Sequence, residues 1–360
     1  MDCVTPRISA ASVLLGLLFL ALALFTLVAG GRAAAGELRA GPGVEGYSSL
    51  YYLPGGHDGA VAAPLVVALH GCRQDAADFA RGTAFNELAD AEGFVVLYPE
   101  TPRPWLYDPL NPRHCWVWWD RANQSRGAGE PAVILAMIEA LKQEVALDEA
   151  RIYVAGLSSG GAMSVILGSL YPEVFAVAGV HSGLEFAAAA EDAPPWYLAA
   201  FAYFLDYIQM ALAAMSEGGP DPDGQGDLAF QEQGPTHRVL PAIVVQGSAD
   251  TTVAPLNADQ VVRQLAQMND HADDGDGAND SFDAVADLTD STPAEPGRHA
   301  YATHSYRDGA DRVALQSIMV EGLGHAWSGG SPEGSYTDPQ GPDASRLMWE
   351  FFKARSLAGP

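Results

Sequence analysis

The stretch "VAGLSSGGAM" holds Gly156-Leu157-Ser158-Ser159-Gly160, a serine with a glycine two positions away on each side. The run before it, "ARIYVAG" from Ala150 to Gly156, reads as a strand, and "GGAMSVILGSLYP" after it reads as a helix. A serine on a sharp strand-to-helix turn exposes its hydroxyl, and the crowded turn requires flanking residues without bulk. Framing on Ser159 would put Leu157 in a glycine position, whereas framing on Ser158 meets glycine twice. Ser158 is the candidate nucleophile, and acyl transfer is the chemistry such a turn serves.

A serine hydroxyl is almost wholly protonated near neutrality, so it needs a base, which an acid in turn orients. After a nucleophile on this kind of turn, the chain order is acid, then histidine. Asp250 follows the strand-like "AIVVQG" directly and is the candidate acid. Asp259 falls on an expected helix and Asp287 in an acidic run, so both are poorer choices. Of the later histidines, His271 lies in the acidic run, and His299 and His304 flank the alternating, edge-strand-like "RHAYATHSY". His325 lies in "GLGHAWSGG", a glycine-rich loop after a strand, and is the candidate base. Trp327, two residues on, is expected to line the cleft.

Acyl transfer also builds negative charge on a carbonyl oxygen, which two backbone N–H groups normally receive. One comes from the residue after the nucleophile, here Ser159, and one from the loop after an earlier strand. The apolar run "PLVVALH" ends in His70-Gly71-Cys72, so Cys72 is expected to supply the second N–H. Cys72 as a nucleophile would need its own histidine partner and would leave the Ser158 turn unexplained.

The cysteine side chain has a separate role. An apolar run from Val13 to Val28, with Arg7 before it and "RAAAG" (Arg32 to Gly36) after it, reads as an export signal cut after Ala35. The alternative is an uncleaved N-terminal membrane anchor, which would be the only membrane contact; either way residues 36–360 face outside the cytoplasm. Cys3 falls in residues 1–35, which leaves Cys72 and Cys115 as one pair in an oxidising compartment. A bridge between them would stabilise the fold by roughly 4 kcal/mol on the chain-entropy model. No tetrad of metal-ligand spacing occurs, and the chemistry calls for no cofactor. Cys115 opens "CWVWWD", so the bridge draws Trp116, Trp118 and Trp119 toward the site. Such clusters commonly pack in cores; Trp119 is the candidate substrate contact among them.

The elements that must carry these residues alternate. Strand-like segments recur at Pro64–His70, Gly93–Pro99, Ala150–Gly156, Val174–Gly183, Pro241–Gly247 and Val313–Gly322. Helical patterns lie over Phe85–Ala91, Ala132–Val145 and Ala344–Ala354. This is the pattern of an α/β domain, a mostly parallel central sheet with helices on both faces, spanning residues 36–360. Residues 186–235 read as a cap insertion, because "WYLAAFAYFLDYIQMALAAM" (Trp196 to Met215) is too apolar for a solvated helix; an ordinary core helix is the alternative. Asp206 and Gln209 argue against a membrane span there. Residues 269–297, "NDHADDGDGANDSFDAVADLTDSTPAEPG", read as an acidic surface loop. With "DPDGQGD" (Asp221 to Asp227) that loop has calcium-type ligands but not the twelve-residue spacing. Forty-five acidic residues against 19 basic ones give a net charge of −26, which disfavours nucleic acid and anionic membranes. Only Lys142 and Lys353 are lysines, a composition suited to salty surroundings.

Taken together, "LHGCRQ", "CWVWWD", "VAGLSSGGAM", "VHSG", "QGSADTTVAPLNA" and "GLGHAWSGG…GSYTDPQGPDASRLMWEFF" resemble the polyhydroxybutyrate depolymerase family of esterases, in the expected order from about Pro64 to Phe352. The resemblance implies an α/β-hydrolase fold and a serine esterase with Ser158, Asp250 and His325 at the triad positions. It implies action on short-chain 3-hydroxyalkanoate esters, while related members cleave feruloyl or acetyl esters of plant polysaccharides. Only 35 residues follow His325, which leads us to expect oligomers or amorphous material rather than solid polyester as substrate. If the cysteines pair as expected, a maleimide finds no free thiol at Cys72 or Cys115 in the denatured, unreduced protein; two such thiols would rule the bridge out.

Overall fold

The structure, a computed structural model, describes residues 35–358 apart from 103–110, 112, 190–200, 276, 278 and 280, with the backbone alone for 201–208. The apolar N-terminal run lies outside the described residues. Ten strands form one sheet: β1 (Glu37–Ala40), β2 (Ser48–Leu53), β3 (Ala63–Leu69), β4 (Val95–Glu100), β5 (Leu147–Leu157), β6 (Val177–His181), β7 (Ala242–Gly247), β8 (Leu288–Thr292), β9 (Tyr301–Arg307) and β10 (Val313–Val320). Their order is β1-β2-β4-β3-β5-β6-β7-β10-β9-β8. The block from β4 to β10 is parallel. The two strands at each edge run antiparallel.

The residue pattern explains why the parallel block is internal. β3, "APLVVAL", is buried at every position. Leu65, Val67 and Leu69 enter one hydrophobic core, while Val66 and Ala68 enter the other. β5 divides in the same way, Ile152 and Val154 against Tyr153 and Ala155. A period of two with both faces apolar is what a sheet covered on both sides demands. One cover is α1 (Ala76–Thr83), α2 (Phe85–Glu92) and α8 (Ala344–Lys353), through Phe79, Phe85, Met348 and Phe352. The other is α3 (Gly129–Leu141), α4 (Ser159–Leu170) and α7 (Leu256–Asp274), through Ile134, Met137, Ile166 and Val261. β8, "LTDST", is exposed at all its positions, a polar edge that resists pairing with another chain.

Two segments differ from the expectation. The acidic run at 269–297 is not one loop. Its first residues complete α7, and Leu288–Thr292 form the edge strand β8. Tertiary partners override composition here: the Asn269 side chain bonds both Leu240 N and Leu240 O, at 2.8 and 3.1 Å, and Asp270 accepts from Ser281 Oγ and Phe282 N. "DPDGQGD" opens α6 (Pro222–Glu232), with the proline in the first turn, where its missing N–H costs nothing. Its acids engage α7: Asp223 pairs with Arg263 and Asp227 with His271. Among the described residues, no three His, Cys, Asp or Glu side chains come together as a metal site. The apolar segment at 196–215 enters the description as α5 (Phe201–Glu217). Its end docks on the loop between β7 and α7, the Met215 carbonyl accepting from Ala254 N at 2.8 Å.

One buried carboxyl supports the tryptophan-rich segment. Glu130, in the first turn of α3, accepts Val117 N–H at 2.6 Å and meets Tyr47 Oη at 3.2 Å. Burial pushes its pKa up from 4.5 to about 8, against the pull of those hydrogen bonds. The native state therefore keeps a proton that the unfolded chain has released above pH 4.5, so this group costs stability as pH rises toward 8. Denaturant unfolding of Glu130→Gln should show a shallower loss of stability between pH 5 and 8, the difference approaching but not exceeding about 1.4 kcal/mol per pH unit. Parallel curves for the two proteins would refute the buried-proton account.

Candidate active site

Ser158 lies between the last residue of β5 and the first of α4, with φ 58° and ψ −117°. That backbone is strained for a residue with a side chain, and the surroundings hold it there. Ser158 N–H donates to the His181 carbonyl at 2.9 Å, and the Ser158 carbonyl accepts from Ala162 N as α4 starts. The glycines are required by space. A Cβ on Gly156 would stand 2.3 Å from the Gly160 carbonyl carbon, and one on Gly160 would stand 2.1 Å from Leu69 O. The turn is thus pressed against the end of β3, which is the steric reason for the pattern read in the sequence.

Asp250 follows β7, and His325 follows β10, the neighbouring strand. His325 Nδ1–H donates to Asp250 Oδ2 at 2.8 Å. The other oxygen, Oδ1, accepts from Thr252 N and Val253 N at 2.9 Å each, and Gln246 Nε2 adds a bond to Oδ2 at 3.2 Å. Burial opposes the charge on Asp250, but the bond from His325, its charge and the two amides outweigh it and hold the carboxyl below the usual carboxylate range. With Nδ1–H committed to the carboxylate, Nε2 carries the lone pair. The two loops are laced together: Ser248 N–H donates to Val320 O at 2.9 Å, Ala249 N–H to Leu323 O at 3.0 Å, and Gly322 N–H to Ser248 Oγ at 2.9 Å.

Ser158 and His325 line one cavity of about 230 Å³, with Gly71, Cys72, Arg73, Gln74, Arg113 and Thr252. A second cavity of about 160 Å³ opens on Ser158, Ser159 and Cys72, walled by Trp118, Trp119, Leu184, Leu212 and Met215. Trp119 lines this cavity, and α5 contributes Ala211, Leu212 and Met215 to it. The His-Gly-Cys turn is clamped on three sides. Gly71 N–H donates to Gln74 Oε1 at 2.9 Å, Arg73 N–H to Arg113 O at 2.6 Å, and Cys72 is disulfide-bonded to Cys115. Gly71 also packs on the nucleophile turn: a Cβ there would lie 3.5 Å from Ser158 Cβ.

Trp327 corrects the sequence reading. It is 1% exposed, sits edge-on to Phe79 and Phe85 at 5.5 and 5.8 Å, and donates from Nε1 to Ser345 Oγ. It anchors the His325 loop from beneath because α1, α2 and α8 meet there, and it lines neither cavity. The rejected histidines are engaged elsewhere: His271 with Asp227, His299 with Asp338, His304 with Thr289. Asp259 lies on α7, and Asp287 accepts from Arg307 N.

His181, to which the sequence assigned no role, ties the parts together. Its carbonyl holds Ser158 N–H, its Nε2 accepts Ser328 N–H at 3.0 Å, and its ring stacks on Trp327 at 5.1 Å. Accepting at Nε2 leaves the proton on Nδ1, which donates to Ser182 Oγ at 3.1 Å. Burial, reinforced by nearby His325, lowers its pKa to about 3, so the ring stays neutral. The sequence signals were a histidine ending a buried strand and its place in the "VHSG" motif.

Residues 47–195 match the family described as "Esterase PHB depolymerase". The chain is 29% identical over 265 residues to "Poly(3-hydroxyalkanoate) depolymerase C" of Paucimonas lemoignei, covering 73% of this chain and 55% of that protein. It is 37% identical over 134 residues to "Feruloyl esterase B" of Neurospora crassa, covering 36% of this chain and 43% of that one. The chain spans about half the length of the curated relatives it matches. The solved structure of the acetyl xylan esterase from Aspergillus awamori superposes with a TM-score of 0.64 at 20% identity, over 88% of this chain and 99% of that one. That likeness establishes the α/β-hydrolase fold. The matched region carries the Ser158 turn, the Cys72 turn and the tryptophan-rich segment, and over these residues the chain is similar to the PHB depolymerase family of esterases.

Proposed function

We propose that the protein is an exported serine esterase that hydrolyses short-chain hydroxyalkanoate esters, oligomers or polymer of 3-hydroxybutyrate, through Ser158, His325 and Asp250. The observation that carries this reading is the 2.8 Å Asp250–His325 bond beside a strained Ser158 on the same cavity. His325 Nε2 takes the hydroxyl proton as Ser158 Oγ attacks the ester carbonyl, and Asp250 stabilises the imidazolium that forms. The amides of Cys72 and Ser159 receive the oxyanion. As the first residue of α4, Ser159 has an N–H with no acceptor within its helix. Losing one such donor typically costs about 3 kcal/mol in the transition state. His325 then protonates the leaving alcohol, and water hydrolyses the acyl-enzyme with the roles reversed.

The apolar cavity of about 160 Å³ suits a short acyl group, with Trp119 and Trp118 as its aromatic wall. The Cys72–Cys115 disulfide supports export, since such bonds persist in oxidising compartments. A second reading, hydrolysis of feruloyl or acetyl esters on xylan, draws on the local 37% identity to a feruloyl esterase and on the same tryptophans. Release of ferulate or acetate from xylan faster than 3-hydroxybutyrate from its oligomers would favour it.

Ser158→Ala should lower kcat for p-nitrophenyl butyrate by about 10⁴-fold or more and abolish labelling by a fluorophosphonate probe. Activity or labelling retained in that variant would overturn the nucleophile assignment. Asp250→Asn leaves the shape but removes the charge and favours the wrong histidine tautomer, so we expect kcat to fall by about 10³- to 10⁴-fold.

A further inference from the structure

No aspartate or glutamate is among the described residues lining either cavity at Ser158, in a chain with 45 acidic residues against 19 basic ones. Arginines stand there instead: Arg113 lines both cavities and Arg73 lines the one containing His325. Both side chains are exposed, and the backbone that carries each is held by what lies next to it. Arg73 N–H donates to the Arg113 carbonyl at 2.6 Å, and the disulfide joins Cys72, adjacent to Arg73, to Cys115, two residues beyond Arg113. The Arg73 backbone has φ 68°, in the left-handed region that favours glycine. A position where glycine would be less strained thus carries a long cationic side chain at the mouth of the site.

The two cavities also differ in kind. One is walled by Trp118, Trp119, Leu184 and Leu212, the other holds His325, Gln74, Thr252 and Arg73, and Met215 borders both. His325 must hand its proton to the departing oxygen, so the leaving half of the ester lies on the His325 side and the acyl half on the tryptophan side. Of the two arginines, Arg73 therefore stands on the leaving side, and Arg113 stands where the two cavities adjoin.

Building on the esterase reading above, we propose that Arg73 and Arg113 select esters whose leaving alcohol carries a carboxylate, the free-carboxyl end of a short hydroxyalkanoate chain, so that hydroxyacid units are released from that end. Guanidinium and carboxylate match as planar forks, a geometry an ammonium does not reproduce. In the step itself the Ser158 Oγ–acyl bond forms, the ester C–O bond breaks, and the Oγ proton passes through His325 Nε2 to the departing oxygen. The terminal carboxylate takes no part in the bond changes; its contact with the arginines orients the scissile ester.

The test uses the linear dimer of 3-hydroxybutyrate as its free acid and as its terminal amide, with release of 3-hydroxybutyrate as the readout. The ratio of the two kcat/KM values is internal to each protein preparation, so partial misfolding of a variant cancels. We expect the wild type to favour the acid by about tenfold, and the Arg73→Gln, Arg113→Gln double variant to bring the ratio near one. Arg113→Lys, keeping charge but not the fork, should fall between. A wild-type ratio near one, or an unchanged ratio in the double variant, overturns the proposal. With p-nitrophenyl butyrate turned over normally, such a result leaves the esterase reading standing; with p-nitrophenyl butyrate untouched by the wild type, both fall.

Discussion

The backbone N–H of Ser158, bound to the carbonyl of His181, is the contact on which the arrangement of the site depends. It joins β5 to β6 at the point where the chain turns sharply into α4, and it holds Ser158 in a conformation that a free chain avoids. The same histidine reaches from its ring to the backbone of Ser328, three residues past His325. Ser158 and His325, 167 positions apart in the chain, are therefore referenced to one buried residue. Its neutrality matters: a charged ring would be an unpaired cation beside the base and could not accept from Ser328.

The second dependence runs through the His-Gly-Cys turn. A backbone donor stabilises an oxyanion only if it is already aimed when charge appears, because reorganisation would consume the benefit. The disulfide to Cys115, the bond from Arg73 to Arg113 and the bond from Gly71 to Gln74 all restrict this turn. Glu130 extends the support outward, since it fixes Val117 between the bridged cysteine and the paired tryptophans. The cavity wall and the proposed oxyanion donor thus share one cross-linked segment.

Much of this was legible in the sequence wherever the cause is local. Gly156 and Gly160 flank Ser158 because atoms of the turn and of β3 leave no room, and the spacing records that directly. Asp250 and His325 could be found because each follows an apolar strand in the order the turn implies. Trp327 misled because it lies two residues from the candidate base, whereas its burial depends on Phe79 and Phe85 from elements far earlier in the chain. His181 was silent for the same reason. The first residues of the acidic run complete a helix because Leu240 and Phe282 supply long-range partners, which no reading of local composition reveals. The arginine pair likewise becomes visible only once the bridge brings two distant segments together.

A mouth lined, among the described residues, by arginines and no acid, in a molecule of net charge −26, sets two fields of opposite sense around one opening. Far from the surface an anion meets repulsion from the whole molecule; at contact it meets guanidinium groups. Salt screens the first far more than the second, since the Debye length of about 10 Å at 0.1 M exceeds the reach of a hydrogen-bonded pair. Dilute media therefore hinder the approach of anions and hasten the departure of anionic products, while concentrated brines even out the traffic in both directions. Ionic strength becomes a control on exchange at the mouth without touching the geometry inside it.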